Sequence, residues 1–367
     1  MQFTCTQENL IRGLNQVGHV AGRSTTLPIL KNILITAATE GVTLAATNLE
    51  IGVTTLVRGK VEVPGTFTVQ ARVILDYISL LPSGNITISL EGADLLVTST
   101  GSKTTLKGLS AEDFPVIPKV TDGVRLNLLA AQLKTALSQT VFAVAADDAR
   151  PEISGVLFHL HGTELTLAAT DSYRLAEVKI PLTVAKEEQR VIVPSRSLSE
   201  LLRLLPDVGE VQLVIGENQV SVQVGDLELV TRLIEGQFPD YAQIIPASFT
   251  STLTTETASL AKVLRQVSLF CRSGINDVTV RYDAAATKLS AANAQVGASD
   301  VELSTSLTGK GGNIVFNWRF LLDGLAVIGS DDVALQLNDE KGPGLLVPVK
   351  PQKDQPPFRY LIMPIRQ

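Results

Sequence analysis

Apolar residues recur along this chain at helical spacing in six stretches, and the six fall into three pairs. Leu10, Leu14 and Val17 predict an opening helix, Leu133 and Leu137 a second of the same kind, and Leu260, Leu264 and Val267 a third. Each is followed by another helix: Ile74, Tyr77, Ile78 and Leu81; then Leu198, Leu201, Leu202 and Leu205; then Leu321, Leu325 and Ile328, where Gly324 interrupts the run. Faces spaced i, i+3, i+4, i+7 are one-sided and need a core to cover them. Elsewhere the apolar positions alternate, at Ile86, Ile88 and Leu90, at Val220, Val222 and Val224, and at Val333, Leu335 and Leu337, near turn signals such as SGN, GEN, VGD and KGPG. Alternation bounded by Gly and Asn predicts half-buried strands joined by tight turns.

The pattern is a repeat. VQARVILDYISLLPSGNITISLEG, from Val69, aligns with VPSRSLSELLRLLPDVGEVQLVIGEN, from Val193, so that Arg72 and Arg196, Leu81 and Leu205, and Pro82 and Pro206 all lie 124 positions apart. Phe114-Pro115 and Phe238-Pro239 keep that shift, and a third copy, FNWRFLLDGLAVIGSDDVALQLNDEKG, starts at Phe316. LAATN at Leu44 is matched by LAATD at Leu167, with a weaker echo in SAAN at Ser290. The fold class this predicts is α+β, three tandem copies of a two-helix, antiparallel-sheet domain of about 120 residues each. Boundaries just after the Phe-Pro segments, near Thr121 and Ala247, give domains at 1–121, 122–247 and 248–367. Repetition alone leaves open whether such units extend as an array or curve to closure.

Composition narrows the class. A chain of 367 residues with 45% hydrophobic and 19% charged content supports a large core. The start, MQFTCTQENLIRGLNQ, lacks a basic flank and apolar run, and no stretch reaches 18 apolar residues, so the expectation is a cytoplasmic protein with no membrane partner. Cys5 and Cys271 read as small core hydrophobes, not a disulfide framework. A net charge of -6 speaks against tight non-specific binding to nucleic acid, which needs many cation–phosphate contacts. A DNA partner must be held by something other than bulk charge.

Candidate chemistry is sparse. His159 and His161 flank Leu160 on one predicted strand and share a face, but no Cys, Asp or further His completes a ligand set, so no metal is assigned. An enzyme or small-ligand binder built on the repeat would draw on these two. TGSKTT and TGKGGN lack the full P-loop spacing, no G-x-S-x-G elbow is present, and the pairs Asp147-Asp148 and Asp331-Asp332 sit beside turns, where carboxylates cap or face water. The reading is no catalytic residue and no cofactor. Arg72, Arg196 and Arg319 recur at the predicted start of each second helix, where a cation opposes the helix dipole. They are either solvated or ion-paired surface arginines, or three helices presenting positive charge to one partner. Arg12, Lys134, Lys262 and Arg265 on the first helices would add to such a face.

The triple repeat, TDSYRL at Thr170–Leu175, GQFPDY at Gly236–Tyr241 and the final YLIMPIR together resemble the bacterial sliding clamp family, the beta subunit of DNA polymerase III, over essentially the whole chain. The resemblance implies a head-to-tail dimer ring of six domains with inner helices and outer sheets, and a processivity role without catalysis. It implies as partners double-stranded DNA held topologically, a second copy of the chain, the polymerase III catalytic subunit, the clamp loader, and other clamp-binding-motif proteins of replication and repair. Carried over residue by residue, a peptide-binding pocket would comprise Ile153, Thr170, Ser172, Tyr173, Arg174 and Leu175, then Pro239, Gln243, Ile244, Ile275, Asn317 and Phe320. It would end on Leu361, Ile362, Met363, Pro364, Ile365 and Arg366. Gln243 stands where many members carry a basic residue and Phe320 where Tyr is common, which bears on polar contacts to a peptide. Arg23 and Arg150 join the DNA-facing cations named above. The subunit contact would set Lys103, Thr104, Leu106 and Lys107 against Leu269, Phe270, Asp300 and Glu302.

Overall fold

The six predicted helices form, and the apolar faces that predict them are the faces they bury. The structure is a computed structural model that describes residues 1–22, 27–147, 149–351 and 355–366. Its helices are α1 (Gln7–Gly18), α2 (Ala71–Leu80), α3 (Ala130–Ser138), α4 (Ser195–Leu204), α5 (Thr257–Ser268) and α6 (Trp318–Val327). Leu10, Leu14, Val17, Leu133, Leu137, Leu264 and Val267 are fully enclosed. Three positions of the predicted second-helix faces, Tyr77, Leu81 and Leu202, are only half-buried. Leu81 falls just outside α2 and closes it, its N–H bonding to the Ile78 carbonyl. At their N-termini α1 and α6 are capped by side chains: Thr6 accepts the Asn9 N–H at 3.3 Å and Asn317 the Arg319 N–H at 3.0 Å.

Two compact units organise the chain, and neither coincides with one repeat. The first gathers Met1–Ala130 with Ser199–Leu233. Its described strands hydrogen-bond in one antiparallel succession, joined across the repeat boundary where Leu227–Arg232 pairs with Ile51–Val57, Leu229 facing Val53. α1 lies against α2 and against the Gly41–Thr47 and Ile51–Val57 strands. The approach is close because Gly13 has no side chain: a Cβ there would sit 2.5 Å from Val57 Cγ2.

The second unit gathers Ala131–Leu198 with Ile234–Gln367. Its larger sheet runs in the order Gly155–Thr170, Arg174–Pro194, Phe358–Ile362, Gly344–Pro348, Asp332–Leu337, Ser251–Glu256, Ser306–Gly309. Its smaller sheet runs Gly297–Leu303, Thr287–Asn293, Asp277–Tyr282, Gly312–Asn317. Here too the ladder crosses a repeat boundary, Leu175 pairing with Leu361. Repeat and compact unit differ because edge strands of successive repeats complete each other's sheets, which covers the edges so paired.

Gly324, which interrupts the apolar run of α6, has a packing reason. A Cβ at this position would lie 2.4 Å from Cδ1 of Tyr360, a fully buried ring that stacks on Phe358 at 6.4 Å between centroids. Gly324→Ala gains helix propensity worth about 1 kcal/mol but drives a methyl into a rigid aromatic. The expected result is a net loss of stability of about 1–3 kcal/mol, read as a lowered denaturant midpoint at unchanged slope. A stabilised variant would place Tyr360 elsewhere. Among the described residues, no helix is long and apolar enough to cross a membrane.

Candidate functional site

The long hairpin Gly155–Thr170 and Arg174–Pro194 turns at Asp171–Tyr173, and side chains build that turn. Asp171 Oδ1 accepts the N–H groups of Tyr173 and Arg174, each at 3.0 Å, while Thr170 Oγ1 accepts the Ser172 N–H at 3.1 Å and donates to the Arg174 carbonyl at 2.7 Å. Ser172 is thereby held at φ 76°, a left-handed conformation that only such local bonding makes routine for a non-glycine residue. The first repeat makes the same turn from LAATN. Asn48 Oδ1 accepts from Glu50 and Ile51, Thr47 accepts from Leu49 and donates to Ile51, and Leu49 has φ 78°.

The chain terminus closes onto this turn. Phe358–Ile362 inserts between Arg174–Val178 and Gly344–Leu346, after which the Met363 N–H bonds to the Tyr173 carbonyl at 2.8 Å and the Ile365 N–H to the Val315 carbonyl at 2.8 Å. Two bonds therefore anchor the residues around Pro364. Beneath them Leu175, Leu345 and Leu361 form a buried cluster, with Tyr241, Ile245, Phe249 and Val347 packed against it. Burial separates the predicted pocket residues into two groups. Ile153, Leu175, Leu361 and Ile362 are core, whereas Tyr173, Ile244 and Ile275 are exposed by 65%, 46% and 43%, and Met363, Pro364 and Ile365 are half-buried. Exposed Tyr173, bonded through its carbonyl to half-buried Met363 beside a buried leucine cluster, suits anchoring of apolar side chains.

Arg174 organises the polar part. Its guanidinium reaches Asp171 Oδ2 at 2.9 Å, Asp323 Oδ2 at 2.5 Å and the Phe142 carbonyl at 3.0 Å, and lies over the Phe320 ring at 4.5 Å. Phe320 thus serves as a face for a cation, a role that needs no hydroxyl. Its carbonyl accepts the Tyr360 hydroxyl at 3.0 Å. Gln243 is exposed and donates to Asp240 at 2.9 Å; Pro239 is half-buried one residue before Asp240; Thr170 is buried; Asn317 is the cap of α6; Arg366 is exposed.

The cations expected to face DNA are placed individually. Arg12, Arg72, Arg196, Lys262, Arg265 and Arg319 are exposed on α1, α2, α4, α5 and α6, and Lys134 on α3 is half-buried. Arg72 stands 3.6 Å from Asp76, and the Arg319 guanidinium lies 5.3 Å over the Trp318 ring, both loose surface contacts. Arg150 lies on no helix: it donates to Ser172 Oγ at 2.9 Å and to Glu152, beside the Asp171–Tyr173 turn. Arg23 lies outside the described residues, as do Asp148 of one acidic pair and the terminal Gln367. Of the expected contact residues, Leu106 is buried, Thr104 and Phe270 are half-buried, and Lys103, Lys107, Leu269, Asp300 and Glu302 are set as follows. Lys107 pairs with Asp94 at 2.7 Å, Lys103 is exposed four residues earlier on the same strand, Leu269 follows α5 with 71% exposure, and Asp300 and Glu302 lie on Gly297–Leu303.

Cys5 is buried as expected, and burial pushes its thiol up to about 12. Cys271 is half-buried, short of the core position expected of it, with burial and then Asp277 pushing it to about 11. Neither is a thiolate near neutral pH. The structure also supplies what the sequence lacked beside His159 and His161: Glu188 of the facing strand stands 3.2 Å from His159 Nε2 and 3.8 Å from His161 Nδ1.

Three tandem copies of two helices and antiparallel sheets, closed at the C-terminal end onto an apolar site, define a clamp-fold protein. The family models for the N-terminal, central and C-terminal domains of the DNA polymerase III beta subunit match residues 1–118, 127–240 and 242–366, and the chain belongs to that family. Similar proteins include the beta sliding clamp of Synechocystis sp., 32% identical over 392 residues and covering 100% of this chain and 99% of the relative. That of Pseudomonas aeruginosa is 29% identical over 370 residues, covering 100% of both. A crystal structure of the Pseudomonas aeruginosa sliding clamp bound to griselimycin superposes with a TM-score of 0.94 at 29% identity, covering 100% of both chains. The beta subunit of Streptococcus pyogenes gives 0.95 at 25% identity with the same coverage. The function is that of a sliding clamp in DNA replication, a non-catalytic processivity factor with DNA and polymerase as partners.

Proposed function

We propose that two copies join head to tail into a ring whose helices line a channel around duplex DNA and whose sheets face outward, with domains at 1–121, 122–247 and 248–367. One observation carries the ring. The Ser102–Leu109 strand pairs on one side with Asp94–Ser99, while on its other side only Gly108 and Leu109 are paired among the described residues. The Gly297–Leu303 strand pairs, among the described residues, only with Thr287–Asn293. Two open edges, one bearing Lys103 and Lys107 and the other Asp300 and Glu302, suit heterologous strand pairing between copies. Exposed Leu269 adds apolar surface beside the second edge, and that contact contributes more than the ion pairs, worth below about 1 kcal/mol each when exposed.

Ring closure reconciles the charge of -6 with a DNA partner, because a topological link needs no tight grip. Arg72, Arg196 and Arg319, with the cations of the first helices, then soften repulsion of the duplex. The apolar site around Met363 receives short linear peptides from the polymerase III catalytic subunit, the clamp loader and other clamp-binding-motif proteins, and the ring works in the cytoplasm without a cofactor. The test is topological. Clamp loaded on a nicked circle is expected to stay through gel filtration and to leave once the circle is cut. Equal loss from circular and linear DNA rejects encirclement.

A further inference from the structure

We propose that His159, His161 and Glu188 form a site for a divalent transition-metal ion of the zinc class on the open face of the Gly155–Thr170/Arg174–Pro194 hairpin. The three candidate ligand atoms, one from each side chain, lie within 4.8 Å of one another. Around a tetrahedral zinc ion, with bonds of about 2.0–2.2 Å, ligand atoms stand roughly 3.4 Å apart. The His159 Nε2 to Glu188 Oε1 distance, 3.2 Å, already matches, and His161 Nδ1 to Glu188 Oε2 is 3.8 Å. Small rotations close the remainder, since the side chains of His161 and Glu188 are 75% and 54% exposed.

The backbone brings the third group into range. His159 faces Arg190 and Leu160 faces Gln189, yet Gly162 faces Lys186, so the second strand carries one residue more than the first opposite His161. Such a bulge re-aims the side chains of the bulged strand, here Glu187 and Glu188. Alternation around buried Leu160 puts both imidazoles on one face, their ring centroids 6.0 Å apart. Two borderline imidazoles with one carboxylate make a donor set that suits zinc, nickel and copper over magnesium or calcium, with a fourth position open to water. Arg190 is a competing cation, 3.5 Å from Glu188, and its side chain, 64% exposed, can swing into solvent. Nothing in the clamp role requires this cluster, and the site stands independently of ring closure.

The experiment is calorimetric titration of zinc chloride into the metal-stripped full-length protein, compared with His159→Gln/His161→Gln and with Glu188→Gln. Wild type is expected to take up one zinc ion per chain with a dissociation constant in the micromolar range. The double histidine variant should bind more than about tenfold more weakly, and Glu188→Gln about tenfold more weakly. Zinc should also raise the melting temperature of wild type but not of the double variant. Uptake by the double variant equal to wild type overturns the site, as does an unaffected Glu188→Gln. His161 and Glu188 face solvent and His159, with 21% of its side chain exposed, is only half-buried, so Gln in its place keeps most of its packing, and circular dichroism checks that each variant folds.

Discussion

Met363→Ala combined with removal of Arg366 and Gln367 is expected to lower affinity for a clamp-binding-motif peptide by about 10–100-fold and to leave the proposed dimer and the melting temperature in place. The choice of residue follows from how the terminal strand is divided. Leu361 and Ile362 are 2% and 0% exposed and paired in the ladder, so truncating either costs folding about 2–5 kcal/mol and confuses binding with stability. Met363 is half-buried, and its tie to the turn is the backbone bond to Tyr173, which alanine keeps. Ile365 is held by Val315, so the chain stays anchored up to the point of deletion. What the variant loses is a flexible apolar side chain that fills irregular gaps and the last cation, worth about 1.4–2.8 kcal/mol of binding together. Fluorescence anisotropy with a labelled peptide measures it, and gel filtration checks the dimer. An unchanged dissociation constant removes the pocket from this face.

The helices of this chain were legible because each buries one stripe, and a stripe is written in local spacing: Leu10, Leu14 and Val17 suffice to locate α1 and its buried side. The repeat was legible for the same reason, since Arg72, Arg196 and Arg319 mark the same turn of α2, α4 and α6. What crosses the repeats was not. No local signal says that Leu227–Arg232 completes the sheet of the first repeat, because pairing between distant edges depends on topology, not on period. Glu188 is not legible as a partner of the histidines because a bulge shifts the register that would have paired it with His161. The partner of Arg174, Asp323, lies 149 positions away and only the fold joins them. Arg150 reads as one more surface cation until the hairpin turn brings Ser172 to it. Leu49 and Ser172 carry no glycine to announce a left-handed backbone, so those turns are visible only through the Thr-x and Asx hydrogen bonds that hold them.

Arg174→Ile destabilises the fold by about 2–4 kcal/mol, and adding Asp171→Asn recovers part of that loss. Removing the guanidinium strips the partner from two carboxylates that do not suffer equally. Asp323 is 46% exposed and is solvated by water, whereas Asp171 is 16% exposed and is left as a nearly buried, unpaired charge. The first repeat supplies the control. Its equivalent turn uses Asn48 where this one has Asp171, and Ile51, 3% exposed, where this one has Arg174, with the same side-chain bonds to the backbone. An Asn amide oxygen therefore supports the turn, and an apolar residue fills the position without a charge to satisfy. The double variant imports that solution, so its cost is expected to be smaller than the sum of the single variants, with a coupling of about 1–3 kcal/mol. Urea denaturation of the two single variants, the double and the wild type measures the cycle. Strictly additive costs mean that the arginine contributes through packing on Phe142 and Phe320 alone, and the ion cluster is then energetically silent.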